Sequence, residues 1–414
     1  MSVAEIPAVA PQEDTSLRGA FNAYVDKLRG GELGSLPAVL GLVAIVLIFT
    51  VLQGETFFST FNFANLLTQS AMIIVLAMGL VFVLLLGEID LSAGYCASTS
   101  AAILGVALTT KGWSLPIALV ACLGTGAIIG LLIGLLVARL GIPSFVVTLA
   151  FFLALQGLLL LIIGEGGTIG ITDPAILAIE NNNLSPLAGW VLFLIVVGGY
   201  ALLTGLRMTR RRKAGLTAQV TALWLFKVIG IAVIGGLSVF FLNQERSRHP
   251  EITSIKGVPY VVVLILVLLV GLTFLLGRTA FGRHVYAVGG NTEAARRAGI
   301  NVAMVKITCF IACSTLAAVA GILFASRDNS ISPSTGGSST LLYAVAAAVI
   351  GGTSLFGGRG KMLDAVIGGA VVAVIANGLP LITEQPGIQF IVTGLVLLVA
   401  ASVDALSRKR SVAS

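Results

Sequence analysis

Three polar strings interrupt an otherwise apolar chain of 414 residues. The first, Gly87-Glu88-Ile89-Asp90-Leu91-Ser92-Ala93-Gly94, places two carboxylates and a hydroxyl between apolar runs, with glycine on either side. A carboxylate at membrane depth costs roughly 2.5–3.5 kcal/mol on insertion scales, so Glu88 and Asp90 are expected to face protein or a water-filled path. Asp90 could instead cap the next helix in a tight turn, which leaves Glu88 without a structural reason. The second string runs from Gly282 to Asn301 and contains Gly290, Asn291, Glu293, Ala294, Ala295, Arg296 and Gly299. Here Asn291 is placed to cap a short helix and Gly299 to end it. So short a helix is marginal alone because nucleation is costly, and it is expected to dock on something or to lie on headgroups. The third string, Val349 to Lys361, is dense in glycine, and its Gly351, Leu355, Gly358 spacing echoes Gly87, Leu91, Gly94. Such an echo is either a remnant of repetition or chance, but both breaks should let backbones approach closely.

Enzymatic chemistry has little else to work with. The two histidines, His249 and His284, fall in predicted loops on opposite sides of the chain's apolar runs, so no metal site and no cofactor is expected. The nearest approach to a nucleotide-binding loop, Leu355 to Met362, lacks the first glycine and the magnesium-binding hydroxyl, so any ATP hydrolysis belongs to another chain. All four cysteines lie inside apolar runs; Cys309 and Cys313 are an i,i+4 pair on one helix, and packing rather than disulfide formation is expected. Isolated polar residues within the runs are Gln69, Thr148, Gln156, Asn377 and Lys227. Each amide or hydroxyl could bind a neighbouring helix or contact a substrate.

The elements that must position these groups are membrane helices. Only 10% of the chain is charged, 57% is hydrophobic and the mean hydropathy is +1.04, which no soluble core requires. The apolar runs are about 18–24 residues long, enough to cross a hydrocarbon core of roughly 30 Å as helix, and they do not alternate as barrel strands do. The breaks define twelve candidate spans: 36–52, 66–87, 93–110, 116–138, 143–163, 187–206, 218–241, 258–277, 304–326, 338–357, 363–383 and 387–404. With an inner amino terminus, 19 of the 25 Lys and Arg fall on the inner side and five outside, and Lys227 lies within the seventh span. The positive-inside rule therefore favours twelve spans with both termini cytoplasmic, and it accounts for the net charge of +7 without nucleic acid. The first 35 residues contain no apolar signal-peptide core, and Leu17, Phe21, Tyr24, Val25 and Leu28 share one face of a possible interfacial helix.

Several strings together carry a resemblance: Gly-Glu-Ile-Asp-Leu-Ser at 87–92, Pro-Ser-Phe-Val-Val-Thr-Leu at 143–149, Tyr-Ala-Val-Gly-Gly-Asn-Thr-Glu-Ala-Ala-Arg at 286–296, Gly-Ile-Asn-Val at 299–302 and Ile-Gly-Gly-Thr-Ser-Leu at 350–355. Taken in order, they resemble the permease subunits of ABC sugar importers of the ribose/xylose type, from about Phe57 to Asp404. Glu88, where ribose permeases tend to have glycine, and an apparent inserted helix pair at 187–241 resemble the xylose branch.

The resemblance implies an all-α polytopic protein of the bacterial inner membrane, with a ten-helix permease core plus the inserted pair. The tails would be 1–35 and 405–414, the permease domain 36–404 and the coupling loop 282–303. It further implies a second copy of the chain, a cytoplasmic ABC ATPase, a periplasmic sugar-binding protein and a monosaccharide cargo, D-xylose, besides the surrounding lipid. Segment 290–299 would be the coupling helix, using Gly290, Asn291, Glu293, Ala294, Ala295, Arg296 and Gly299. Glu88, Asp90, Ser92, Thr148, Gln156 and Asn377 would line the path or gate. Arg297-Ala298 and Phe356 depart from the family's usual residues. The competing classes are a proton- or sodium-coupled secondary transporter, for which Glu88 and Asp90 are the nearest titratable candidates, and an intramembrane enzyme.

Overall fold

The computed structural model describes residues 36–215, 221–247, 249–395 and 398; the expected interfacial helix and both tails lie outside them. The described chain is helical, with one two-stranded sheet. The helices are α1 (Leu36–Phe57), α2 (Thr60–Leu85), α3 (Ala93–Gly105, continued by a π-turn to Thr110), α4 (Leu115–Ala138), α5 (Ser144–Ile163), α6 (Pro174–Asn181), α7 (Pro186–Lys213) and α8 (Thr221–Leu242). They continue as α9 (Tyr260–Arg278), α10 (Ala280–Gly290), α11 (Thr292–Arg297), α12 (Val302–Asp328), α13 (Ser338–Gly351), α14 (Met362–Ile382) and α15 (Pro386–Leu395). Strand β1 (Ile169–Gly170) pairs antiparallel with β2 (Ser330–Ile331).

Among the described residues, ten helices are long and apolar enough to cross a membrane, while α13 and α15 are shorter apolar helices. The tenth expected span, 338–357, stops at Gly351 because Gly352 adopts φ +122°, a conformation that ends the helix. The segment after Arg278 is not the plain loop expected from its glycines. Thr279 accepts the Gly282 N–H and starts an eleven-residue helix, α10, whose Val285 and Val288 are buried.

Among the described residues, Leu187–Phe241 form one compact unit and the remainder form the other. The first is a helical hairpin: the Trp224 indole N–H donates to Thr204 Oγ1 at 2.8 Å, and Phe193 lies over Gly235 and Gly236. The second unit is a bundle built around α2, α3 and α12, the most buried of its helices. Small residues explain how this centre closes where lipid removes the hydrophobic incentive for helices to associate. On α4, Gly126, Gly130 and Gly134 lie at successive i,i+4 positions against α12. A Cβ added at each would lie 2.5 Å from the Ser314 carbonyl, 2.4 Å from that of Phe310 and 2.8 Å from the Ile307 Cα. Cys96, Cys122, Cys309 and Cys313 are all free and buried in this packing.

Candidate functional site: the turn at 87–92 and the hairpin beneath it

The three polar strings meet. Gly87, at φ +74°, ends α2 and turns the chain so that its Cα faces the Phe356 carbonyl of the third string; a Cβ there would approach that oxygen to 3.3 Å. Gly289 of the second string lies against the same place, with room for no side chain: an added Cβ would be 1.7 Å from the Leu85 carbonyl. That carbonyl accepts the Gly358 N–H at 2.8 Å, and the Tyr286 hydroxyl donates to the Gly360 carbonyl at 2.7 Å. Backbone therefore packs on backbone where α2, α10 and the 352–361 turn converge, a geometry that fixes α10 to the bundle without long side chains.

Glu88 and Ile89, which follow Gly87 in the turn, are tied to different elements. Glu88 is ion-paired with Lys306 in the second turn of α12, with side chains 16% and 21% exposed. The Ile89 N–H donates to Ser144 Oγ at 3.3 Å, and the Thr148 hydroxyl, which donates to the Ser144 carbonyl at 2.9 Å, lies 3.3 Å from the Ile89 carbonyl, so both backbone polar groups of Ile89 face α5. Asp90 does not cap α3 itself, as expected from the sequence; the cap position belongs to Ser92. Asp90 Oδ1 instead accepts the Ser92 N–H at 2.9 Å and its hydroxyl at 2.6 Å, while Oδ2 is buried without a hydrogen-bond partner. Burial pushes the Asp90 carboxyl above the ordinary carboxylate range, and the Ser92 bonds pull the other way. Glu88, Asp90, Ser92 and Thr148 thus form one constellation.

The other two residues expected to line the path lie apart from it. Gln156 is half-buried further along α5. Asn377 of α14 exchanges two amide bonds with Asn62, and its Nδ2 also donates to Gln69 Oε1 at 3.1 Å. The amide is occupied by Asn62 and Gln69, both on α2, the bonding between neighbouring helices that was one of its two expected roles.

The short helix is built as its residues suggested, though it spans 292–297 rather than 290–299. Asn291 Oδ1 accepts the Ala294 N–H at 2.8 Å, and Gly299, at φ +83°, ends the helix while the Ile300 N–H donates to the Ala295 carbonyl at 3.1 Å. Glu293 pairs with both Arg296 and Arg297 on the exposed side. Gly290, Asn291, Ala294, Arg296 and Gly299 are exposed, whereas Ala295 turns into the chain and is 5% exposed. Ala295 therefore seats the helix, and Ala294 with Ala298 form its small outward face.

Sequence reasoning missed a polar cluster at the opposite end of the bundle. Arg327 donates to Thr68 Oγ1 at 2.9 Å and to Asn65 Oδ1 at 3.1 Å. Nearby on α6, both carboxylate oxygens of Glu180 are buried without a hydrogen-bond partner. Burial pushes the Glu180 carboxyl up to about 8; Arg327 opposes the shift and Asp328 adds to it. The short helix and strand between 164 and 185 carried no apolar periodicity strong enough to reveal this.

The sequence is similar to those of known proteins. The family described as "Branched-chain amino acid transport system / permease component" matches residues 62–401. The xylose transport system permease protein XylH of Escherichia coli K12 is 35% identical over 90% of this chain and 92% of its own. Its namesake in Haemophilus influenzae is 34% identical over 93% and 99%. The ribose import permease protein RbsC of Escherichia coli K12 is 29% identical over 90% and 93%. No solved structure matches the chain. The chain belongs to this family of transport-system permease components, multi-pass proteins of the inner membrane rather than enzymes.

Proposed function

We propose that the chain is the membrane-spanning permease subunit of an ATP-driven importer that moves D-xylose into the cytoplasm. Its relatives are named for xylose and ribose transport, and the xylose permeases share the greater identity of those compared. The observation that carries the mechanism is the capped, outward-facing helix α11, attached to the bundle through α10 and the Gly289–Leu85 backbone contact. Such an element transmits force because the backbone beneath it has no slack. A cytoplasmic ABC ATPase would grip α11, a periplasmic sugar-binding protein would deliver the monosaccharide to the other side, and a second copy of the chain would complete the path.

In this reading α13 and α15 complete a set of twelve transmembrane helices with both termini cytoplasmic, and 187–241 is an addition to the permease core. The inner gate is assigned to Glu88, Asp90, Ser92 and Thr148, with Gln156 beyond it; Asn377 is assigned to packing. A carboxylate suits a neutral polyol because it accepts two hydroxyl hydrogen bonds at once. The test is Glu293→Lys and Ala294→Trp: both should abolish co-purification of the ATPase and ATP-dependent uptake with normal amounts of permease. Normal coupling in both variants would contradict the docking role.

A further inference from the structure

We infer that Lys306 is a positioning residue of the transport cycle, its ion pair with Glu88 carrying displacement of α11 to the gate turn at 87–92. The inference rests on α11 being the docking helix, and it names a side chain that serves there otherwise only as an orienting charge. Lys306 lies in the second turn of α12, whose cap is Asn301, two residues beyond the glycine that ends α11. Any rigid shift of α11 therefore moves Lys306 with the start of α12.

Its partner sits on a segment held by two other elements: Gly87 against Phe356 of the 352–361 turn, and Ile89 against Ser144 and Thr148 of α5. Between described residues, the remaining ion pairs lie within a single loop or a single short helix, so this one alone joins distant membrane elements. An ion pair suits such a tie better than apolar packing. It contributes little net stability when partly buried, yet it is specific in register, and water entering an opening gate can take its place. The backbone contacts at Gly289 leave no side chain to yield; the charged contact is the one able to exchange.

The experiment uses the complete complex of permease, ATPase and sugar-binding protein in proteoliposomes, measuring sugar imported per ATP hydrolysed alongside assembly. Lys306→Met and Glu88→Gln should each lower that ratio about tenfold, Lys306→Arg should retain it, and the exchange Lys306→Glu with Glu88→Lys should restore most of it. Unchanged ratios in the single variants, or an exchange no better than they are, would overturn the proposal. Where a single variant fails to assemble, the doubly neutral Lys306→Met, Glu88→Gln protein decides: restored assembly with a low ratio supports the tie, and a wild-type ratio refutes it. Glu293→Lys run in parallel separates the two ideas, since normal coupling there removes the docking reading while the exchange result still judges the ion pair.

Discussion

Asn62 and Asn377 exchange their amides reciprocally, the Nδ2 of each donating to the Oδ1 of the other at 2.9 and 3.0 Å, and so clamp α2 to α14. Both side chains are nearly inaccessible. In lipid such bonds are worth about 0.6 kcal/mol on average and at most about 1.7, because the separated helices find other partners. Asn377→Ala should therefore lower thermal stability in detergent by about 1 kcal/mol, non-additively with Asn62→Ala, while uptake per folded molecule stays normal. A large loss of uptake at unchanged stability would return Asn377 to the path.

Gly289 and Gly290 are neighbours with opposite tolerances. A Cβ at Gly289 meets the Leu85 carbonyl, whereas one at Gly290 points into open space. Gly289→Ala should reduce the amount of folded protein, as overpacking of about 1–3 kcal/mol does, and Gly290→Ala should not. Fluorescence-detected gel filtration of the two variants checks the contrast.

In the 87–92 turn, Glu88→Gln should reduce uptake with normal assembly, because the residue is tied through its charge. Asp90→Asn should instead lower the amount of stable complex, since it places an amide N–H₂ where a buried oxygen has no partner, at a cost of about 1–3 kcal/mol. The reverse pattern in matched expression and uptake assays would exchange their roles.

Much of this is legible in the sequence. Chemistry-bearing residues stand out when 57% of a chain is apolar, so the strings around Glu88, Asn291 and Gly357 were recognisable, as were the cap at Asn291 and the stop at Gly299. Their convergence was not, because it runs through backbone contacts that carry no residue code beyond glycine. Helix α10 was hidden by Gly282, Gly289 and Gly290, although the spacing of Phe281, Val285 and Val288 marks one helical face. The Gly126, Gly130, Gly134 stripe is readable in the sequence as a packing motif, but its partner helix is not. Lys306 looked like one more orienting charge, and only the ion pair distinguishes it.

Glu180 gives the bundle a pH dependence of known sign. Its carboxyl is raised from an ordinary 4.5 to about 8 by burial, so the packed arrangement of α6 on α12 holds a proton that the opened one releases. Packing is thus fully favoured below about 4.5, weakens as the pH rises toward about 8, and is level above that. The protection of the α6 amides, taken relative to their intrinsic exchange at each pH, should fall across this window, and Glu180→Gln should remove that fall. A slope unchanged in Glu180→Gln would assign it to another group.

The basic end of α7, Arg210 to Lys213, is sufficiently explained by attraction to anionic lipid at about 1 kcal/mol per charge. Neutralising it should alter the orientation of the 187–241 hairpin, read by cysteine accessibility, while sugar imported per ATP stays constant. Loss of ATPase association with unchanged orientation would make it a second docking site.

The most direct measurement of the central claim is D-xylose uptake into proteoliposomes holding the permease, its ATPase and its sugar-binding protein, with a protonophore and a sodium ionophore present. Uptake that requires ATP and survives collapse of both gradients is the predicted result. Uptake that follows a proton or sodium gradient and proceeds without ATP would contradict the account.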